Sequence, residues 1–185
     1  LKSDANKFSL GYFGVLEKDN RGLEDTVEAI IATSNWEFHI AGYGELEDFF
    51  KEKAKQYPNK IKFYGAQSPE TGLAIMNNMD VLLGLYYKNI PNHLYAAPNK
   101  YYEHLILNKP LITTEGTPPG NKVVLFDTGF AIAESKDAVE QTLREINIIT
   151  IEKIKEKAKR IWAKNYNTYF NEKYISIYSQ MVKKL

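Results

Sequence analysis

The sequence predicts an α/β domain of three layers: a parallel sheet of about six strands, helices on both of its faces, and further helices at the C-terminal end. Three observations predict it. Strand-like and helix-like segments alternate about six times, joined mostly by short connections. Several strand segments are continuous apolar runs, such as "DVLLGLYY", which is how strands buried on both faces read. The length of 185 residues, with 44% hydrophobic and 25% charged, suits a sizeable globular core.

The elements follow in order. "FSLGYFGVL", Phe8–Leu16, reads as a buried strand ending in a glycine-containing loop. "RGLEDTVEAIIATS" places Leu23, Val27, Ile30 and Ile31 at helical spacing. "WEFHIAGYG" alternates Trp36, Phe38 and Ile40 with Glu37 and His39, a strand closing on Gly42 and Gly44. "ELEDFFKEKAKQY" is helical up to Pro58, and "KIKFYGA" is a short strand. Ser68 and Glu70 start the helix "PETGLAIMNNM"; the strand "DVLLGLYY" and a loop from Lys88 to Pro98 come next. "APNKYYEHLILNKPLI" supplies a helix, with Asn99 as its N-cap and Tyr102, Leu105 and Ile106 as its core face, and leads into the strand "PLITTEG". After a Pro-Pro-Gly loop come a short helix over Asn121–Asp127, the strand "GFAIAES" and the helix "KDAVEQTLREI". Two apolar stripes mark the last helices: Ile151, Ile154, Ala158, Ile161 and Trp162, then Phe170, Tyr174, Ile177, Tyr178 and Met181.

Composition removes several classes of function. With no cysteine, disulfides, zinc ribbons and thiol catalysis are excluded, and no apolar run approaches the ~18 residues of a membrane span. No histidine pair has metal-ligand spacing, and no Ser-His-Asp order can be assembled from His39, His93 and His104. The net charge of +1 is uneven: Thr150–Leu185 holds nine Lys/Arg against three Asp/Glu. That basic tail reads either as a face for an anionic partner or as the solvated side of an amphipathic helix. A nucleic-acid partner is not expected, because the basic residues lie among helix-core positions. The chain begins at Leu1, with no signal-peptide core in "LKSDANKF", and reads as a piece of a longer protein.

In a parallel α/β fold, ligands sit at the carboxyl edge of the strands. The loops there are Gly14–Gly22, Gly42–Glu45, Gly65–Glu70, Tyr87–Lys100 and Gly116–Lys122. The first matches neither G-x-G-x-x-G nor the P-loop, but sets Lys18 and Arg21 between a strand and a helix. Such a pair reads either as an anion site, with the helix dipole and a bidentate guanidinium, or as exposed basic surface. Glu103 likewise has two readings. An acid in the first turns of a helix gains ~0.3–1 kcal/mol from the dipole, and a carboxylate at the cleft-facing end can accept hydrogen bonds from vicinal hydroxyls.

Taken together, "GVLEKDNRGLEDTVEAI", "WEFHIAGYGELEDFF", "IKFYGAQSPE" and "APNKYYEHLILNKPLITTEGT" resemble the C-terminal, donor-binding half of a GT-B glycosyltransferase of the retaining family-4 type, over roughly Phe8 to Ile146. The resemblance implies a Rossmann-like nucleotide-sugar domain over 1–149. Residues 150–185 would be C-terminal helices packing on it and toward an N-terminal acceptor domain outside this chain. It implies that Arg21 and Lys18 face a donor diphosphate and that Glu103 binds ribose hydroxyls, Arg21 and Glu103 being the catalytic pair. Gly65 and Ala66 would border the base, Asn99 and Lys100 the phosphate or sugar end, and Gly14 would let the backbone approach the ligand.

The substrate would be a UDP- or GDP-linked sugar, used without cofactor or metal. The full-length enzyme would be cytoplasmic, associated peripherally with the inner face of the membrane, and this piece alone inactive in transfer. Two positions depart from the family: Val15 stands where an arginine is frequent, and Tyr95 stands eight residues before Glu103 where a second acid is usual. The departures leave two other implied functions, a non-catalytic GT-B-like interaction domain and a sugar-nucleotide epimerase of GT-B fold.

Overall fold

The computed structural model describes residues 7–169 together with 172 and 176. Six strands form one sheet: β1 (Phe8–Val15), β2 (Trp36–Tyr43), β3 (Ile61–Phe63), β4 (Val81–Gly84), β5 (Leu111–Thr114) and β6 (Gly129–Ile132). Their order is β3-β2-β1-β4-β5-β6, and every neighbouring pair is parallel. The helices between them are α1 (Leu23–Ala32), α2 (Glu47–Gln56), α3 (Pro69–Asn77), α4 (Asn99–Ile106) and α5 (Pro118–Phe126); α6 (Lys136–Glu145) and α7 (Ile148–Ile161) follow β6. This is the three-layer Rossmann-like arrangement, and the chain reverses its direction of travel across the sheet between β1 and β4.

The side-chain alternation of β1 sets the two faces. Leu10 and Tyr12 join one buried cluster with Leu23, Val27 and Ile30 of α1, Phe50 of α2, and Val139 and Leu143 of α6. On the other face Phe13 packs against a second cluster built from Met76, Met79, Tyr101, Leu105, Val123 and Ala158. Gly11 is small because a Cβ there would stand 2.6 Å from Met79 Cγ and 2.8 Å from Met76 Sδ. The indole N–H of Trp36 donates to the Leu143 carbonyl at 2.9 Å, fixing α6 against β2. Burying side chains of this size contributes ~1.5–3 kcal/mol each.

Most elements lie where the sequence places them, with two instructive shifts. The Pro-Pro-Gly stretch is the first turn of α5 and not a loop: Thr117 caps it by accepting from Gly120 N–H, and Pro118 fills the first position, where a missing N–H does no harm. In α4 the cap residue is Pro98, so Asn99 is already helical and caps nothing. The buried face is correspondingly Tyr101, His104 and Leu105, whereas Ile106 is 49% exposed. A histidine can serve as core because its Nδ1 sits 2.9 Å from the Lys109 carbonyl; burial lowers its pKa to about 4, so the ring is neutral.

The stripe Ile151, Ile154 and Ala158 of α7 is buried, and Ile161 and Trp162 pack half-buried beside the second cluster. The helix runs on as a π-helical turn over Trp162–Asn167. The second stripe, Phe170, Tyr174, Ile177, Tyr178 and Met181, lies outside the described residues. No helix among the described residues is long and apolar enough to cross a membrane.

Candidate functional site

A cleft of about 310 Å³ opens at the carboxyl ends of β1 and β4, where the strand order reverses. It is lined by the end of β1 (Tyr12 to Val15), Arg21, Tyr86, and the start of α4 (Pro98 to Lys100, with Glu103). Backbone geometry makes the room. Gly14 pairs in register with Gly42, and both adopt positive φ, 151° and 154°. A Cβ on Gly42 would come 1.9 Å from the Gly14 carbonyl oxygen, and one on Gly14 would come 2.7 Å from Lys100 Nζ. The strand end is therefore bare backbone, and the ammonium of Lys100 lies against it.

Lys100 Nζ donates to the Phe13 carbonyl and stands 4.6 Å from the centre of the Tyr12 ring. Tyr12 is itself fixed, its hydroxyl donating to the Val15 carbonyl at 2.6 Å. Burial pulls the pKa of Lys100 down to about 8, with nearby Glu103 acting in the opposite direction and Arg21 adding to the decrease. One turn along the same face, Glu103 has its carboxyl pKa raised by burial and lowered in part by Lys100. Among the described residues, no hydrogen bond or ion pair reaches the Glu103 carboxylate. A half-buried acceptor left without donors is a group awaiting them.

Arg21 enters from the loop between β1 and α1, which turns into the helix at Gly22 (φ 58°). Its guanidinium is held side-on by Glu17, Nε to Oε2 at 2.9 Å and Nη2 to Oε1 at 3.3 Å, and lies 5.0 Å from the centre of the Tyr86 ring. Tyr86 is positioned in turn by its N–H donating to Thr114 Oγ1 at 2.8 Å and by edge contact with His93. The N–H groups of Asn99 and Lys100, which open α4 and line the cleft, have no acceptor within the helix, whereas that of Tyr101 donates to the Pro98 carbonyl at 3.1 Å. Two cations, a helix N-terminus and a carboxylate thus converge on one opening, an arrangement able to hold a phosphate-bearing, hydroxyl-bearing ligand.

Of the residues the sequence nominates, Gly14, Arg21, Asn99, Lys100 and Glu103 line this cleft. Lys18 does not: its side chain is exposed, and its backbone N–H donates to Glu45. Gly65 and Ala66 follow β3, at the sheet edge two strands from β1; the Gly65 carbonyl accepts from Gly42 N–H at 2.8 Å. His93 is buried, its Nδ1 2.7 Å from the Tyr87 carbonyl. Tyr95 is 82% exposed and outside the lining. Sequence reasoning missed Tyr12, Phe13 and Pro98 as lining and Glu17 as the partner of Arg21; only the four-residue spacing of Glu17 and Arg21 hinted at the pair.

Fold and cleft together define a parallel α/β domain with a charged cleft where the strand order reverses, and comparison with known proteins sharpens the class. A sequence model of the glycosyl transferases group 1 family matches residues 7–147, and the chain belongs to that family. Comparison with curated protein sequences gives no match. Among solved structures, HepE from Anabaena, solved in complex with UDP and glucose, superposes with a TM-score of 0.72 at 16% identity, over 98% of this chain and 49% of that one. WaaG, a glycosyltransferase of lipopolysaccharide biosynthesis, gives 0.69 at 17%, over 94% and 47%. The C-terminal domain of the group 1 protein LpcC from Francisella tularensis gives 0.68 at 18%, over 86% of each chain. The chain therefore spans about half the length of HepE and WaaG and is a GT-B-type glycosyltransferase domain.

Proposed function

We propose that the chain is the donor-binding part of a retaining, family-4-type glycosyltransferase, moving a sugar from a UDP- or GDP-linked donor to a glycan or lipid-linked acceptor. The observation that carries this reading is the shared cleft of Arg21, Lys100 and the α4 N-terminus, with the donor-less carboxylate of Glu103 one turn away. In this reading Arg21, Lys100 and the helix N-terminus neutralise the diphosphate as its bond to the anomeric carbon breaks, the term that most lowers the barrier when charge develops on a leaving group. Glu103 accepts hydrogen bonds from the ribose hydroxyls, Asn99 borders the phosphate or sugar end, and Gly65 and Ala66 border the base. The acceptor site belongs to an N-terminal domain, and the chain alone transfers little. The complex of the structurally similar HepE with UDP and glucose supports the choice of nucleotide.

Titration calorimetry of UDP and GDP against the chain and Glu103→Ala tests this. One nucleotide should bind at millimolar concentration or better, and losing hydrogen bonds to a charged acceptor should weaken it about 10- to 100-fold. Absence of binding by both nucleotides, or no change in Glu103→Ala, removes the assignment. One observation favours a second reading, a non-catalytic interaction domain: at the position of the family's second acid, Tyr95 offers no carboxylate, is exposed and does not line the cleft. Binding of the nucleotide with no discrimination among its sugar conjugates would select that alternative.

A further inference from the structure

Arg21 is already engaged before any ligand arrives. Glu17 takes two of its five N–H donors, those of Nε and one of Nη2, both on the side-on edge. The Tyr86 ring, 5.0 Å from Cζ, contacts the guanidinium as well. What remains is the end-on edge, both Nη1 protons and one of Nη2, which is enough for a second bidentate contact. The Arg21 side chain is 20% exposed and lines the cleft, whereas Glu17, 36% exposed, is not among the lining residues. Glu17 therefore approaches the guanidinium from outside the space a ligand would fill.

The loop that carries both residues is fastened without this pair. Leu16 N–H donates to the Tyr43 carbonyl at 2.8 Å, Lys18 N–H to Glu45 at 3.2 Å and Asp19 N–H to Glu24 at 3.3 Å; the Asn20 carbonyl accepts from Tyr87 N–H at 3.1 Å. The pair spans four residues of an irregular loop, so it supports no helix. Its one evident consequence is the direction in which the guanidinium faces.

We propose that Glu17 is a positioning residue: by holding the Nε/Nη2 edge of Arg21, it presents the Nη1/Nη2 edge to a diphosphate in the cleft. The proposal rests on the donor-binding reading above for the identity of the ligand, but it concerns the phosphate contact alone. A free arginine would have to be ordered from many rotamers when the ligand binds, and a pre-oriented one is not. The ion pair lowers the net field at the anion site, so the two effects oppose each other, and their balance is measurable.

The test is a double-mutant cycle on the 185-residue chain, with UDP, GDP and inorganic pyrophosphate as ligands. Glu17→Ala should weaken whichever nucleotide binds, and pyrophosphate with it, about three- to tenfold, the scale of ordering one long side chain. Glu17→Gln should recover most of the loss, since its side-chain oxygen still accepts from Nε. In an Arg21→Ala background, Glu17→Ala should have no further effect. The melting temperature of Glu17→Ala should stay at the wild-type value. Tighter binding in Glu17→Ala would show that the carboxylate competes for the phosphate site, which overturns the proposal. An undiminished effect in the Arg21→Ala background, or a fall in melting temperature alongside the affinity, overturns it as well. If pyrophosphate binds but neither nucleotide does, the donor-binding reading fails and Glu17 is judged on pyrophosphate alone. If nothing binds, both fall.

Discussion

The two ends of strands β1 and β4 treat charge in opposite ways. At the amino end, Ser9 N–H and Ser9 Oγ both donate to Asp80 Oδ2 at 2.8 Å, and Asp80 N–H returns a bond to Ser9 Oγ at 3.0 Å. Nearby, Lys7 pairs with Glu37 at 3.3 Å, and His39 Nε2 lies 3.4 Å from the same carboxylate. Asp80, Lys7 and Glu37 are thus each matched by another part of the fold. At the carboxyl end, Glu103 has no donor among the described residues, Lys100 has a single carbonyl, and Arg21 keeps one edge open. The same strands thus end in a self-satisfied pole that holds the sheet together and an unsatisfied pole whose polar groups are left open.

That contrast can be broken or sharpened by substitution. The largest effect belongs to Gly42→Ala, where a Cβ would strike the Gly14 carbonyl at 1.9 Å. A loss of more than about 4 kcal/mol is expected, seen as an unfolded circular dichroism spectrum or a collapsed denaturant midpoint. A folded Gly42→Ala chain would mean that the carboxyl pole tolerates side chains and that its bareness has no structural cause.

Next in size is a pH effect at Lys100. Its folded-state pKa of about 8 lies below the ordinary lysine value of 10.5, so between these pH values the unfolded chain holds a proton that the folded chain has released. Stability should therefore rise as pH climbs from about 8 to 10.5, by about 3 kcal/mol over the full span. Urea melts across that range should show the rise in wild type and not in Lys100→Met. The same substitution should weaken UDP or GDP and remove any decline in affinity above pH 8.

Asp80→Ala makes the smaller and complementary change. Removing the acceptor of two Ser9 bonds should cost about 2 kcal/mol of stability and leave nucleotide affinity where it was. A loss of affinity in a chain that remains folded would show that the two poles are coupled through β1 and β4.

The fold was readable because its signals are local and repeated: apolar runs for buried strands, and 3.6-residue spacing for the helices between them. What escaped depended on polar groups put to apolar use. Hydropathy placed Ile106 in the core of α4, but the buried position belongs to His104, whose Nδ1 reaches the Lys109 carbonyl while its buried Nε2 has no partner among the described residues. Pro118 and Pro119 read as loop because prolines break helices from within, though not at their first positions. At the cleft, Arg21 and Glu103 were legible as charges beside turns. The carbonyl that holds Lys100, and the tyrosine rings beneath Lys100 and Arg21, were not, because strand register and side-chain approach bring them together from distant segments. Lys18 and Arg21 sit in one loop, but only Arg21, next to the helix start at Gly22, lines the cleft, while Lys18 is exposed.

Lys100 and Glu103 stand three residues apart on one helix, so the separation of their backbone positions is set by helical geometry, a rise of roughly 4.5 Å along the axis. Neither backbone position can shift toward a ligand without carrying the other. Under the proposed reading, α4 works as a ruler: it gauges the interval between a phosphate and the neighbouring sugar hydroxyls, and an anion or a sugar presented separately satisfies only one of its two marks.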